Sequence, residues 1–299
     1  MIICAWNPQF HKLASSDRNG LIIVWSIIMN DEMNEGKGRT WREEMINDRS
    51  NDESFVADMK WTSDGRDICI AYQDGMIIVG SVEGKRIWGK ELNADLRFIE
   101  WSPGSRYVIA IVTDSSSQIF RVYNRKGNHI RDCILSTSTT VTDPITGFDW
   151  YDGSNGCFGK HAPDLAISFK NTCEIRRGLL DNDPTLINAS MDILSCRWNP
   201  NGHILALHGT VLSHNKDSDY KTKVSNIIKF YDPRGRYLHT LTIPENNGMV
   251  KFIWQGCGHN LKMIIAAGES IYRATIKTDY KYAMIGNANL VFAHNKVKI

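Results

Sequence analysis

Apolar and polar residues alternate along this chain in short runs that Gly, Asp, Asn or Pro cut off, as where Ile68 to Tyr72 is followed by Asp74-Gly75 and then Met76 to Val79. Period-two alternation rich in Ile, Val and aromatic residues predicts β-strands. No window keeps an apolar helical period over three turns, so the pattern predicts an all-β fold and argues against an enzyme with helices between parallel strands.

The strands fall into repeats. A Trp that closes an alternating stretch ahead of turn-forming residues recurs six times: Trp6-Asn-Pro, Trp61-Thr-Ser-Asp-Gly, Trp101-Ser-Pro-Gly, Trp150-Tyr-Asp-Gly, Trp198-Asn-Pro-Asn-Gly and Trp254-Gln-Gly-Cys-Gly. The spacings of 55, 40, 49, 48 and 56 residues fit four-stranded propeller blades of roughly 40–45 residues with longer loops in places. Each Trp is followed by a turn, an apolar strand, a second turn with Asp, Asn or Gly, another strand and a further strand candidate. Six blade-like units are expected over residues 1–51, 52–93, 94–136, 137–188, 189–244 and 245–299, with inner strands as apolar as Leu21 to Val24. Recurrence at one place per unit argues that Trp6, Trp61, Trp101, Trp150, Trp198 and Trp254 pack between blades, with Trp61, Trp101 and Trp198 buried. Trp25, Trp41 and Trp88 lie outside the series.

Two polar segments interrupt the rhythm: Met29 to Ser54, which mixes eight acids with four bases around Trp41, and His214 to Val224. Insertions on a rigid scaffold are solvated loops or docking loops. Trp41 and its neighbour Arg42 are the partner-docking expectation.

Composition narrows the function. A chain that is 42% hydrophobic and 23% charged has a core to bury, and 35 basic against 33 acidic residues leave a formal charge of +2. No single-signed field steers nucleic acid or an anionic membrane. The longest apolar runs fall far short of the ~20 residues of a membrane-spanning helix, and the first residues lack the pattern of a signal peptide. Seven scattered cysteines, without a Cys-x-x-Cys pair, read as reduced thiols.

Signatures of chemistry are weak. Gly36-Lys37-Gly38-Arg39-Thr40 lacks the earlier Gly of a phosphate loop, because Asp31 stands there. Cys157 with His161, and Cys257 with His259, have no second pair at zinc-site spacing. Asp74 and Asp114 sit where side-chain oxygens tie turns. Arg176, Arg177 and Lys281 form no basic stripe with interleaved aromatics, and Asn188-Ala-Ser190 is a glycosylation sequon by pattern only. The expectation is no catalytic residue, no metal and no cofactor. Two alternatives stay open: a propeller enzyme with a metal in its central channel, and a substrate-receptor propeller of another complex.

Longer strings carry a resemblance. Asp17-Arg-Asn-Gly-Leu-Ile-Ile-Val-Trp25, Trp41-Arg-Glu-Glu-Met-Ile-Asn47, Tyr72-Gln-Asp-Gly-Met-Ile-Ile-Val-Gly-Ser-Val82 and Arg86-Ile-Trp-Gly-Lys-Glu-Leu92 are similar to the N-terminal WD-repeat propeller of the WD repeat-containing protein 35 family, subunits of intraflagellar transport complex A. Phe230-Tyr-Asp-Pro-Arg-Gly-Arg-Tyr-Leu238 and Ile271-Tyr-Arg-Ala-Thr-Ile276 extend it over nearly the whole chain. The Trp-Asp mark of strong WD repeats is degraded, with Ser26 after Trp25.

The resemblance implies a non-enzymatic adaptor in retrograde ciliary transport, ciliary protein import and cilium assembly, placed at the cilium, basal body and cytoplasm. Its implied partners are other WD-repeat and TPR-type subunits of that complex and, through adaptors, ciliary membrane-protein cargo; nucleic acid and a transmembrane segment are not expected. It also implies a seven-blade ring with one blade ahead of the position matching Met1, followed by a second propeller and a helical-repeat tail. The six blades are therefore expected to leave a gap or a strained closure.

Overall fold

Strands too short to stand alone pair with their chain neighbours, and hydrophobic burial then stacks the resulting sheets. The computed structural model describes residues 3–29, 39–47, 54–114, 117–134, 145–151, 164–178, 181, 183–214, 222–244, 249–255, 261–285 and 288–298. Each blade is an antiparallel sheet with its strands in chain order. Blade I holds β1 (Ile3–Asn7), β2 (Lys12–Ser16), β3 (Ile22–Met29) and β4 (Arg39–Asn47). Blade II holds β5 (Val56–Trp61), β6 (Asp67–Tyr72), β7 (Met76–Ser81) and β8 (Arg86–Glu91). Blade III holds β9 (Asp95–Trp101), β10 (Tyr107–Asp114), β11 (Ser117–Asn124) and β12 (His129–Ile134). These three form one compact unit, Met1–Thr142.

The second unit, Asp143–Ile299, carries the other three. Blade IV has β13 (Gly147–Trp150), β14 (Leu165–Ser168), β15 (Thr172–Arg176) and β16 (Thr185–Asn188). Blade V has β17 (Asp192–Trp198), β18 (Leu205–His214), β19 (Thr222–Tyr231) and β20 (Tyr237–Thr242). Blade VI has β21 (Val250–Gln255), β22 (Leu261–Ala267), β23 (Ser270–Ile285) and β24 (Ala288–Lys298).

A strand buried on both faces reads as an unbroken apolar run. On β6, Ile68, Ile70 and Tyr72 pack against Ala14, Ile22 and Val24 of blade I, whereas Cys69 and Ala71 pack against Ile99, Trp101 and Val108 of blade III. Strand β18 does the same, sending Leu205 and Leu207 toward Cys173 and Ile175 of blade IV and Ala206 toward Met263 and Ile265 of blade VI.

First strands meet from blade to blade, β1 with β5, β5 with β9 and β13 with β17, and second strands also reach the next blade's first strand, β6 with β9 and β14 with β17. The apolar run that ends at Val24 lies in β3, third across its sheet, with Ile22 and Val24 buried. Each first strand carries the repeated Trp at its end or one residue before it, and three of these indoles reach backward. Trp61 Nε1 donates to Ala5 O at 3.1 Å, Trp101 Nε1 to Lys60 O at 3.0 Å and Trp254 Nε1 to Arg197 O at 3.3 Å. In each case the acceptor is the residue just before the previous blade's Trp. Trp101 and Trp198 are buried, while Trp61, Trp150 and Trp254 are half-buried. Trp150 and Trp198 bury their Nε1 atoms without a hydrogen-bond partner among the described residues. Trp6 departs from the expected interblade packing, at 44% exposure. It belongs to the first blade of its unit, and its indole lies on the face turned away from blade II.

Side-chain oxygens set the turns. Ser81 and Asn124 end a third strand and Asp232 directly follows one, and each side chain accepts the amides two and four residues on: 3.3 and 3.3 Å for Ser81, 3.0 and 2.9 Å for Asn124, 3.0 and 2.8 Å for Asp232. The Gly three residues on takes positive φ: 87° at Gly84, 84° at Gly127 and 75° at Gly235. Asp17 ties the β2–β3 turn likewise, and Asp74 Oδ1 accepts Met76 N at 3.1 Å. The side chain of Asp114 lies outside the described residues.

A buried His–Asn pair sits in blade V. His208, 2% exposed, bonds Asn226 Oδ1 through Nε2 at 3.2 Å and meets the Phe252 ring edge-on. Burial pushes its pKa below the usual 6.5, against the opposing hydrogen bond from Asn226.

Three measurements check this packing. Trp101→Ala is expected to cost about 3–5 kcal/mol in denaturant unfolding, through a cavity and a stranded Lys60 carbonyl. Gly202→Ala is expected to cost about 1–3 kcal/mol in the same assay, because φ is +67° and a Cβ would stand 2.3 Å from the Tyr151 ring. The third is a pH dependence. Unfolded His208 takes up a proton as pH falls through 6.5 while the folded side chain resists, so stability present above 6.5 drains away below it. His208→Gln should flatten the fall in thermal midpoint between about pH 6.5 and 5.

Candidate interaction surface

The two faces of blade I differ in chemistry. Cross-strand partners share a face, so the register Trp6↔Leu13↔Trp25↔Glu43, with Ile27↔Trp41, places Trp6, Leu13, Trp25, Ile27 and Trp41 together on the side away from blade II. Cys4, Ser15 and Ile23 join them. None is fully buried, and Trp41 is 52% exposed. The Trp6 and Trp41 rings meet edge-on at 6.4 Å, with His11 against Trp6 at 6.2 Å. Trp25 Nε1 donates to Ser15 Oγ at 2.9 Å, which satisfies the one indole lying mid-sheet. The result is a partly exposed, mostly apolar face with three Trp residues, a residue type enriched among binding hot spots.

Strand alternation separates the expected docking pair. Arg42 pairs with Ser26 and shares the opposite face with Lys12 and Glu44, where Lys12 Nζ lies 2.5 Å from Glu44 Oε2 and donates to Val82 O at 3.1 Å. Arg42 reaches Glu44 at 3.6 Å, mostly in solvent. The Lys12 hydrogen bond holds the Glu44 carboxyl below its ordinary range. Trp41 and Arg42 are therefore neighbours in sequence on different surfaces, and one partner patch does not hold both. Most of the charged insertion, residues 30–38 and 48–53, lies outside the described residues, as does the Gly36-Lys37-Gly38 run.

The meeting strands carry charges that the sequence pattern missed. Asp58 Oδ2 accepts Ile99 N of the next blade at 3.2 Å, and Lys60 Nζ lies 3.1 Å from Glu100 Oε2. Asp149 does likewise in the second unit, accepting Trp198 N at 2.6 Å while Arg197 holds its other oxygen at 2.9 Å. These acids are spent as ties between blades. The signal for them was an acid one or three residues before the repeat Trp. A second charged knot joins blades II and III, where Arg125 lies 2.6 Å from Asp67 and 3.1 Å from Asp64. Burial works against ionisation of Asp64, but bonds from Thr62, the Arg66 amide and Arg125 hold its pKa at about 2.

Among the described residues no group of three His, Cys, Asp or Glu side chains could hold a metal ion. Cys4, Cys69, Cys133, Cys173 and Cys196 are free thiols, and burial pushes the Cys196 thiol up to about 12. Cys157, His161, Cys257 and His259 lie outside the described residues. Arg176 is not part of a basic surface, since it is buried against Glu174 at 2.9 Å. No described helix is long and apolar enough to cross a membrane.

Consecutive antiparallel four-stranded sheets, with a repeated Trp at or beside the end of each first strand, define a WD-repeat β-propeller. Solved structures support the fold alone: a chain of a mitotic checkpoint complex crystal structure matches at a TM-score of 0.55 and 14% identity, covering 91% of this chain and 78% of that one. The C-terminal WD40 domain of Sif2 matches at 0.54 and 13%, covering 88% and 78%. The model of the WDR35/TULP4 N-terminal β-propeller family matches residues 1–277, and the chain belongs to that family. WD repeat-containing protein 35 of Rattus norvegicus is 38% identical over 98% of this chain, and that of Homo sapiens 37% over 98%. Tubby-related protein 4 of Mus musculus is 27% identical over 91%. The chain spans about a quarter of the length of the WD repeat-containing protein 35 relatives, 24% in rat and 23% in human.

Proposed function

We propose that this chain is a non-enzymatic scaffold that works by protein–protein binding, as an adaptor subunit of intraflagellar transport complex A in retrograde ciliary transport, ciliary protein import and cilium assembly. The observation that carries the binding role is the partly exposed three-Trp face of blade I. Rigid sheets hold these rings in place, so little side-chain entropy is lost on docking. The ciliary setting rests on the family and on the strings that resemble its transport subunits. Other WD-repeat and TPR-type subunits are the proposed partners, with ciliary membrane-protein cargo reached through adaptors, at the cilium, basal body and cytoplasm. Enzyme chemistry is disfavoured by the state of Asp58, Glu100 and Asp149, whose oxygens already serve Lys60, Arg197 and main-chain amides.

A second reading of the same face is favoured by its breadth from β1 to β4: it is the seat of a seventh blade in a longer protein. The six blades would then be part of a seven-blade ring.

Tagged chain recovered from ciliated cells is expected to bring down WD-repeat and TPR-type transport subunits. Trp41→Ala should weaken that recovery by about tenfold or more while leaving the thermal midpoint within a degree or two. Unchanged recovery with Trp41→Ala would remove the face from the binding role. A melting temperature raised by adding one N-terminal blade, with loss of Trp41-dependent recovery, would assign the face to ring closure.

A further inference from the structure

The seam between blades I and II is looser than the seam between blades II and III. On β6 and β7 the side chains that face blade III, Cys69, Ala71, Ile77 and Val79, are all 0% exposed, whereas Ile68, Ile70 and Ile78 on the side of blade I keep 5%, 6% and 8%. The difference is a cavity of about 180 Å³, with Ile22 and Val24 on its blade I wall and Trp61, Ile68, Ile70 and Ile78 on its blade II wall. Gly80, Ser81, Gly84 and Arg86 complete the lining, and the exposed pair among these, Gly84 and Arg86, marks its mouth.

Two features set this cavity apart from a packing fault. Register places Ile68, Gly80 and Arg86 side by side across β6, β7 and β8, so a glycine stands between the apolar wall and the cation. The backbone does not require that glycine: a Cβ on Gly80 would meet only Lys85 O at 3.5 Å and Ile68 Cγ2 at 4.0 Å, both ordinary contacts. A glycine in mid-strand that the backbone does not demand leaves room for another group to approach closely. The second feature is Arg86 itself. Its guanidinium lies against Gly89, where a Cβ would collide with it, and it has no carboxylate partner among the described residues. Glu83, the acid of the neighbouring turn, lines a different cleft with Lys12 and Glu44.

We infer that the cavity between blades I and II is a docking site for one apolar side chain of another protein, Leu or Phe in size, with a carboxylate beside it in the partner's sequence. Small-molecule sites run to roughly 300–1,000 Å³, so the volume here suits a single anchoring side chain. Burial of that anchor among Ile, Val and Trp side chains supplies the affinity. Arg86 supplies the choice of partner, through a charge-assisted hydrogen bond to the flanking carboxylate. The site lies on the side of blade I opposite its three-Trp face, and the inference depends neither on that face nor on the ciliary assignment.

The test uses the full 299-residue chain with labelled isoleucine methyl groups and short Gly/Ser peptides carrying a central Leu-Glu-Glu, Ala-Glu-Glu or Leu-Lys-Lys. Saturable NMR shifts of the Ile22, Ile68, Ile70 and Ile78 methyl signals are expected with the Leu-Glu-Glu peptide, while those of Ile109 and Ile167 stay still. The Ala and Lys peptides should bind about tenfold more weakly or worse. Gly80→Val, which fills the cavity, should abolish the shifts. Arg86→Glu, at an exposed position, should reverse the preference between the acidic and basic Leu peptides without moving the thermal midpoint, and it carries the test if Gly80→Val does not fold. No saturable shift, equal binding of the Ala or Lys peptide, undiminished binding by folded Gly80→Val, or an unchanged preference in Arg86→Glu would overturn the inference. Shifts of the same methyl signals on concentrating the chain alone would assign the cavity to a second copy and overturn it too.

Discussion

Every blade in the middle of a unit is apolar on both faces, and that single constraint governs the rest. A sheet such as blade II cannot hide Ile68, Ile70 and Tyr72 on one side and Cys69 and Ala71 on the other without a neighbour on each. Burial supplies the drive but no register, since apolar contact is non-directional. Direction comes from bonds that cross between sheets: the Trp indoles, which donate backward, and Asp58 and Asp149, which accept forward.

Those crossing bonds consume the polar groups at the meeting strands, and this shapes what the protein has left to offer a partner. Its acids there are neutralised in place by Lys60, Arg197 and amides. Among the described residues, the outer face of blade I keeps an aromatic surface, exposed at Trp6 and Trp41.

Much of this architecture was legible in the residues. The recurring Trp and the Asp-Gly or Asn-Gly turns marked the blades because similar local geometry recurs, as where the indoles of Trp61, Trp101 and Trp254 each meet a carbonyl of the preceding blade. What failed was whatever depends on position across a sheet. Trp6 looks like Trp101 in sequence, yet it faces away from the neighbouring blade of its own unit. Trp41 and Arg42 looked like one patch until alternation in β4 set them apart. The WD dipeptide looked degraded, yet Ser81, Asn124 and Asp232 occupy its second position and each supplies an acceptor oxygen. A carboxylate is one way to meet that demand among several.

The same turn has a consequence for how the sequence can change. Where the oxygen is tied to its own turn and a Gly follows three residues on, the link between third and fourth strands is short and of set length. In blade I the corresponding side chain is Ser26, which bonds Glu44 instead, and nine residues separate the end of β3 at Met29 from the start of β4 at Arg39. Without that tether the length of the link is not set by its own turn, so added residues there cost little more than loop-closure entropy, and a change of binding companion is accommodated in blade I without altering the sheet.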